Sequence, residues 1–232
     1  MWVGVRQRFQ SFHPDLNLTQ DQINDGLGKS KSVCQSLERA YYERSSDNPP
    51  GLLVGSWGKW TQVRPPRDVD VFFVLPWDVY YRFEQREGNR QSHLLQEVRS
   101  VLQGTYPQTD MRGDGQVVTV RFNTVMVEVV PVFVHQSGQF TMPNTNDGGR
   151  WKIADPLAQF GQINWIDQAT NGNARTLSKM MKLWKREQNV PLKSFLLELI
   201  MTEFLPVCQW GAYNHFYYDW LVRDFLRYLL AR

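Results

Sequence analysis

Cysteine is scarce in this sequence: of 232 residues only Cys34 and Cys208 carry a thiol. The two fit neither a metal-ligand spacing nor a disulfide framework, and they are expected as reduced thiols of a cytosolic protein. Long hydrophobic runs are missing as well. No segment approaches the roughly 18 apolar residues that a membrane helix needs, so no association with a bilayer is expected. A strong excess of one charge is also lacking. The net charge of +3 does not imply a broad nucleic-acid-binding surface, though it leaves room for a local basic patch. The segment from Met1 to Gln10 is short and mixed, interrupted by Arg6 and Arg8, and does not read as a signal peptide. A cytoplasmic location is therefore expected. There is no internal repeat and no low-complexity tract. What is abundant is aromatic side chain, 13% of the chain with 9 Trp, which promises a substantial core or stacking surfaces. The hydrophobic share of 42% and the charged share of 21% are ordinary for a globular protein. The length allows one large domain, or a catalytic domain with a helical partner.

The chain is organised around Leu52 to Leu75, LLVGSWGKWTQVRPPRDVDVFFVL. An apolar lead-in meets a Gly55-Ser56 turn, then a short basic loop, then a strand bearing Asp68 and Asp70. Strand side chains alternate faces, so these two aspartates project from the same face. Carboxylates held side by side repel unless a cation neutralises them. Hard oxygen ligands of this kind suit magnesium, which takes one or two protein carboxylates together with phosphate oxygens. A D-x-D pair alone is common in solvated turns and strand ends. The glycine upstream makes the set more specific, because it lets backbone N–H groups approach a phosphate, and Ser56 adds a hydroxyl beside that cradle.

Before this stretch, residues 16–44 read as a helix with Thr19 as N-cap, Gln22 completing a capping-box pattern, and Gly26 and Gly28 weakening its middle. After it, Val79–Phe83 and Arg90–Gln103 read as helical, the second with Leu94, Leu95, Val98 and Leu102 on its apolar face. His93 on that helix is expected to be an ordinary surface or core-edge histidine. Gln116–Val134, rich in β-branched residues and broken at Asn123-Thr124, reads as an antiparallel hairpin. In it Val125, Val127 and Val129 face one way, and Met126, Glu128 and Val130 the other. Glu128 is the only acid in this apolar strand run. A buried carboxylate without a partner is costly, so a cation should meet it. Gln136–Arg150 reads as a loop, and Asp155-Pro156 as a helix start with Pro156 in the first helical position.

The second half reads as helical. Leu177, Met180, Met181 and Trp184 form an apolar stripe, and Arg175, Lys179, Lys182 and Arg186 a basic one, a pattern that is usually a solvated face. Ser194–Phe204 reads as a buried helix with Glu198 as a satisfied structural acid. His215–Arg232 reads as an aromatic-rich amphipathic helix.

The block GSWGKWTQVRPPRDVDVFFVLP resembles the signature of the polymerase-β-like nucleotidyltransferases. More narrowly, the sequence is similar to the bacterial cyclic-oligonucleotide synthases (CD-NTases, SMODS domains), relatives of cGAS and the oligoadenylate synthetases. Thr61-Gln62-Val63-Arg64-Pro65 fits that family's Thr-x-x-Arg-Pro stretch, and Glu128-Val129-Val130-Pro131 fits the strand that carries its third carboxylate. Most bacterial members have aspartate at this last point, and Glu128 is one methylene longer. Trp151 to Pro156 resembles the family's step into its helical half, Lys182-Leu183-Trp184 its Lys-x-Trp, and Leu192-Lys193-Ser194-Phe195 its Leu-Lys-Ser-Phe/Tyr.

The resemblance implies an α+β polymerase-β-like lobe with a mixed or antiparallel sheet, packed against a helical lobe, with the active site in the cleft between them. The expected division is residues 1–150 for the catalytic core and 151–232 for the helical lobe, which looks trimmed or unusually short at its end. It implies a catalytic and metal-binding triad of Asp68, Asp70 and Glu128 for two magnesium or manganese ions, and triphosphate contacts from Gly55, Ser56, Lys182 and Ser194. The activity it implies is the joining of nucleoside triphosphates into a cyclic or linear di- or oligonucleotide second messenger of antiphage signalling, with release of pyrophosphate. An activating protein or ligand is among the partners it allows. Two alternatives stay open at this point. One is nucleotidyl transfer to an RNA or protein acceptor, and the other is a catalytically silent nucleotide-binding scaffold.

Overall fold

The computed structural model describes residues 4–231. In chain order these form α1 (Val5–Asp15), α2 (Gln20–Tyr42), β1 (Gly51–Leu53), α3 (Gly55–Lys59), β2 (Asp68–Val74), α4 (Trp77–Glu84), α5 (Arg90–Thr105), β3 (Met111–Asp114), β4 (Val117–Arg121) and β5 (Met126–Val134). There follow β6 (Phe140–Asn144), β7 (Arg150–Ala154), α6 (Pro156–Ala169), α7 (Asn173–Glu187), α8 (Ser194–Phe204) and α9 (Tyr218–Leu230), with single 3-10 turns before α9 and after α8. The chain divides into two compact units. One takes Gln20–Gly58 and Pro66–Leu157; the other takes the segment up to Thr19, Lys59–Pro65, and the chain from Ala158 onward.

The first unit is a mixed sheet with helices against one face. Its strand order is β1-β2-β5-β4-β3, with β6 added to the end of β5 and β7 to β6. Among the described residues only β2 and β5 run parallel; every other pairing is antiparallel. Alternation decides what each face carries. Val71 and Phe73 of β2 and Val127 and Val129 of β5 are buried with Val33 and Leu37 of α2 and Leu94, Leu95 and Val98 of α5. The odd-numbered valines thus bind the sheet to its helices, and the intervening positions, Asp68, Asp70 and Glu128, fall on the other pleat.

The expected hairpin is present as β4 and β5, which turn at Asn123-Thr124 with Val120 opposite Val127. The loop expected over residues 136–150 is a correction, because it contains β6 and leads into β7. The loop reading rests on Asn146-Asp147-Gly148-Gly149 at the end of this stretch. What makes β6 a strand is burial along its whole length and pairing on both sides, to β5 and to β7. The first long helix is α2 and begins directly after Thr19. Residues 5–15, which the sequence left unassigned, form the separate helix α1.

The second unit is helical. Its core joins Leu177, Met180 and Met181 of α7, Leu197 and Met201 of α8, Leu221 and Phe225 of α9, and Ile163 and Ile166 of α6. The apolar stripe read on α7 is the one that is buried, α8 spans the expected residues, and Pro156 is the first residue of α6. Met1–Val3 and Arg232, included in the terminal segments discussed above, lie outside the described residues. Among the described residues both cysteines are free, and burial pushes the Cys34 thiol up to about 12. Among them, too, no helix is long and apolar enough to cross a membrane.

Candidate active site

The parallel pairing of β2 with β5 sets Asp70 directly beside Glu128, and Asp68 beside Met126 two residues earlier. Side chains in register on adjacent strands share a face, so the three acids converge. One carboxylate oxygen from each lies within 4.8 Å of the others, and all three residues are half-buried. Two unit charges about 4 Å apart repel by about 1 kcal/mol in water and about 4 kcal/mol near a protein surface. Glu128 shows the consequence. Burial, and then the Asp68 charge, push its carboxyl above the usual carboxylate range; a hydrogen bond with Asp70 and the Arg121 guanidinium pull more weakly the other way. Arg121 is itself paired with Asp110 at 3.3 Å. The donor set, three hard carboxylate oxygens on two rigid strands, fits a divalent cation of the magnesium type.

The turn before the D-x-D strand is shaped by the same acids. Gly55 has φ +58°, and a Cβ there would come within 2.0 Å of Asp70 Oδ2. Only glycine allows both the left-handed backbone and the approach of that carboxylate. The Val54 N–H donates to the Asp70 carbonyl at 3.0 Å. The Trp57 indole N–H donates to the Asp68 carbonyl at 2.7 Å. Ser56 lies between these anchors, half-buried at the start of α3. Trp57 is itself buried, and its ring sits on Gly26 of α2, where a Cβ would come within 2.4 Å of the indole. Gly26 weakens its helix locally but makes space for the tryptophan that fixes the strand of the triad. Sequence reasoning missed both residues. The tryptophan inside the motif was a usable signal, whereas nothing in α2 announces what covers Gly26.

Lys182 and Ser194 both belong to the helical unit. The Lys182 ammonium meets Glu198 Oε1 at 2.5 Å and donates to Thr61 Oγ1 at 2.7 Å and to the Thr61 carbonyl at 3.2 Å. Ser194, the first residue of α8, accepts from the Lys185 ammonium at 3.1 Å. Glu198 is a satisfied buried acid, as expected. Its Oε2 is taken by Lys59, and its Oε1 also accepts from Thr61 at 2.9 Å and from Ser178 at 3.3 Å. Burial alone would raise the Glu198 carboxyl; Lys182 and Lys59 outweigh it and hold the group below its ordinary value. The basic stripe of α7 is therefore less solvated than its pattern suggests. Arg175 is paired with Asp167, and Lys179 donates to Asn17 at 2.7 Å.

A mixed sheet with a D-x-D strand, a third acid on the adjacent parallel strand and a Gly-Ser turn packed against them defines a polymerase-β-like nucleotidyltransferase fold. The chain belongs to the Second Messenger Oligonucleotide or Dinucleotide Synthetase domain family, which matches residues 3–169. It is 22% identical over 206 residues to the cyclic AMP-AMP-AMP synthase of an Acinetobacter species, covering 88% of this chain and 59% of that protein. The chain thus spans less than two thirds of that relative's length. Its fold is similar to that of the CdnE cyclic dinucleotide synthase of Elizabethkingia meningoseptica, solved with GTP and Apcpp, at a TM-score of 0.70 and 17% identity, covering 95% of this chain and 81% of the other. It is also similar to the CdnC of Escherichia coli MS115-1 in complex with a HORMA protein, at a TM-score of 0.60 and 21% identity, covering 86% and 63% of the two chains.

Proposed function

We propose that this chain carries the catalytic centre of a nucleotidyltransferase that joins nucleoside triphosphates into a cyclic or linear di- or oligonucleotide second messenger, releasing pyrophosphate. The observation that supports it best is the convergence of Asp68, Asp70 and Glu128 on one strand face, against a turn that only Gly55 can form. In this reading the three carboxylates hold two magnesium or manganese ions. Bound there, the ions would offset charge on the triphosphate and lower the pKa of the attacking ribose hydroxyl. Gly55 and Ser56 present the turn to the phosphates, and Lys182 and Ser194 supply further phosphate contacts from the helical unit. The hydroxyl of one nucleotide attacks the α-phosphorus of another, and the bond to pyrophosphate breaks.

Membership of the synthetase domain family and the likeness to a cyclic AMP-AMP-AMP synthase support a nucleotide-only product; a place in antiphage signalling is what the sequence resemblance implies. That the CdnC of a structural relative forms a complex with a HORMA protein supports a protein as partner.

The test is incubation of the purified protein with all four labelled triphosphates and magnesium or manganese, beside the Asp68→Ala/Asp70→Ala variant. A small phosphatase-resistant product, made by the wild type and lost by at least about 10³-fold in the variant, is expected. Equal turnover by the variant would sink the mechanism. Label appearing in an added RNA or protein would move the acceptor. Tight triphosphate binding without pyrophosphate release would leave a scaffold.

A further inference from the structure

The hydrogen bonds of α7 divide its cations by what each still has to give. An ammonium donates three protons and accepts nothing. Three acceptors already surround that of Lys182: Glu198 Oε1 at 2.5 Å, Thr61 Oγ1 at 2.7 Å and the Thr61 carbonyl at 3.2 Å. To reach a phosphate it must exchange one of these bonds. Arg175 and Arg186 are paired with carboxylates, those of Asp167 and Glu187. Lys179 donates to Asn17, and burial, then the Arg175 charge, pushes its ammonium below the ordinary value. Lys185 differs from all of these. It lies one turn beyond Lys182 on the same face of the helix, half-buried. Among the described residues its ammonium has one hydrogen-bond partner, Ser194 Oγ at 3.1 Å, and no carboxylate. Two of its protons are left over. The Ser194 oxygen accepts from Lys185 and so keeps its own proton, which has no acceptor among the described residues. The pair thus presents three donors and one positive charge. Such a set suits a phosphate, whose several oxygens accept and whose charge strengthens each bond.

We propose that Lys185 and Ser194 form a phosphate-binding pair of the helical unit, in which Ser194 supplies a hydroxyl and Lys185 the charge. The pairing rests on the reading of Ser194 as a triphosphate contact and deepens it by naming the cation that acts with that serine. Lys182, held by Glu198 and Thr61, contributes the smaller share, because a phosphate must displace a bond it already makes. The basic stripe legible in the sequence passes from Lys182 to Arg186 and leaves Lys185 out. Only the packing of α8 beside α7 shows which lysine meets the serine.

The probe is magnesium tripolyphosphate, which carries the phosphate chain without a base, titrated calorimetrically into the full chain. Lys185→Met keeps the side-chain length without the charge, and should weaken binding about tenfold, the scale of one hydrogen bond to a charged group. Lys185→Arg keeps charge and donors, and should stay within about threefold of wild type. Lys182→Met should weaken binding less than Lys185→Met does, and should lower the Tm where Lys185→Met leaves it in place. The loss in Lys185→Met should shrink as salt rises, because a charge contact is screened and a packing defect is not. Ser194→Ala should cost less in a Lys185→Met background than in wild type, since the two act on one phosphate. Binding left unchanged by Lys185→Met, or weakened more by Lys182→Met, overturns the proposal. If Ser194→Ala weakens binding and Lys185→Met does not, the reading of Ser194 stands and its pairing with Lys185 falls. If wild type does not bind tripolyphosphate, both fall together. The triad reading is tested separately, by product formation in the Asp68→Ala/Asp70→Ala variant.

Discussion

The two units each gather carboxylate under partial burial, and they answer its charge in opposite ways. In the sheet unit three acids lie within 4.8 Å of one another, and burial with the Asp68 charge raises the Glu128 carboxyl. In the helical unit one acid, Glu198, sits between two lysines and is held below its ordinary value despite deeper burial. An acid that the chain's own lysines stabilise completes a local structure. Acids that crowd one another raise the energy of the fold, and such an arrangement is maintained for something that arrives from outside. The comparison separates two roles for the same functional group, a cation site and a lysine holder. It also predicts that removing charge has opposite effects in the two places.

The largest effect is expected at Asp70→Asn. Product formation should fall by about 10³-fold, the scale of several kcal/mol of lost charge stabilisation. The metal-free protein should nevertheless melt no lower than wild type, because one negative charge leaves the cluster while the asparagine amide can still hydrogen-bond Glu128. For a chain of this size each kcal/mol moves the Tm by about 2–4 °C. Magnesium should raise the wild-type Tm and leave that of the variant almost unmoved, since only a ligand bound by the folded state stabilises it. A metal-free Tm lower than wild type would break the comparison, because it would mean that the triad is self-stabilised.

Glu198→Gln should do the reverse. It leaves two nearly buried ammoniums facing a neutral amide, and breaking such a pair costs about 3 kcal/mol. The expected fall in Tm is about 10 °C at neutral pH. The pH dependence has a definite sign. A carboxyl lowered in the folded state contributes stability above its ordinary value of 4.5, and that contribution is lost as pH falls through the depressed folded value. Wild type should therefore lose more stability than Glu198→Gln on acidification below 4.5, and the two melting curves should draw together. Parallel curves would show that the lysines do not set the ionisation of Glu198.

Much of this was legible in the sequence, and the parts that were not share a physical cause. Asp68 and Asp70 are two residues apart on a strand, and Gly55 precedes them in one short motif, so alternation and turn chemistry sufficed. Glu128 stood out as the single acid in a valine-rich strand. The pairing of β2 with β5, which makes a triad of them, required only that the two strands be neighbours. The partners of Glu198 were a different matter, because Lys59 and Thr61 lie 139 and 137 residues away. No local pattern couples such positions, and the basic stripe of α7 by itself read as a solvated face. Strand β6 was missed because its pairing with β5 and β7 overrides a sequence with the composition of a turn. Gly26 was counted only as a helix weakness, since its reason is the indole of Trp57 lying over it.

The smallest expected effect is the most discriminating about the triad. Glu128→Asp keeps the charge and the strand position opposite Asp70 but withdraws the carboxylate by one methylene, about 1.5 Å. Charge count and phosphate contacts are unchanged, so triphosphate KM should hold. What moves is the third oxygen of the cluster, and a misplacement on this scale at the reacting centre lowers kcat, here by about tenfold. Glu128→Gln keeps the length and removes the charge, and should cost as much as Asp70→Asn. If the aspartate variant is as poor as the glutamine one, the carboxylate must sit within a fraction of an ångström of its present place, and the longer side chain is a requirement of this sheet. If it matches wild type, the triad tolerates either acid, and the reach of the third carboxylate does not limit the rate. A tenfold loss in kcat with unchanged KM places Glu128 where the comparison puts it, as a cation ligand whose reach matters because its charge is shared with something outside the chain.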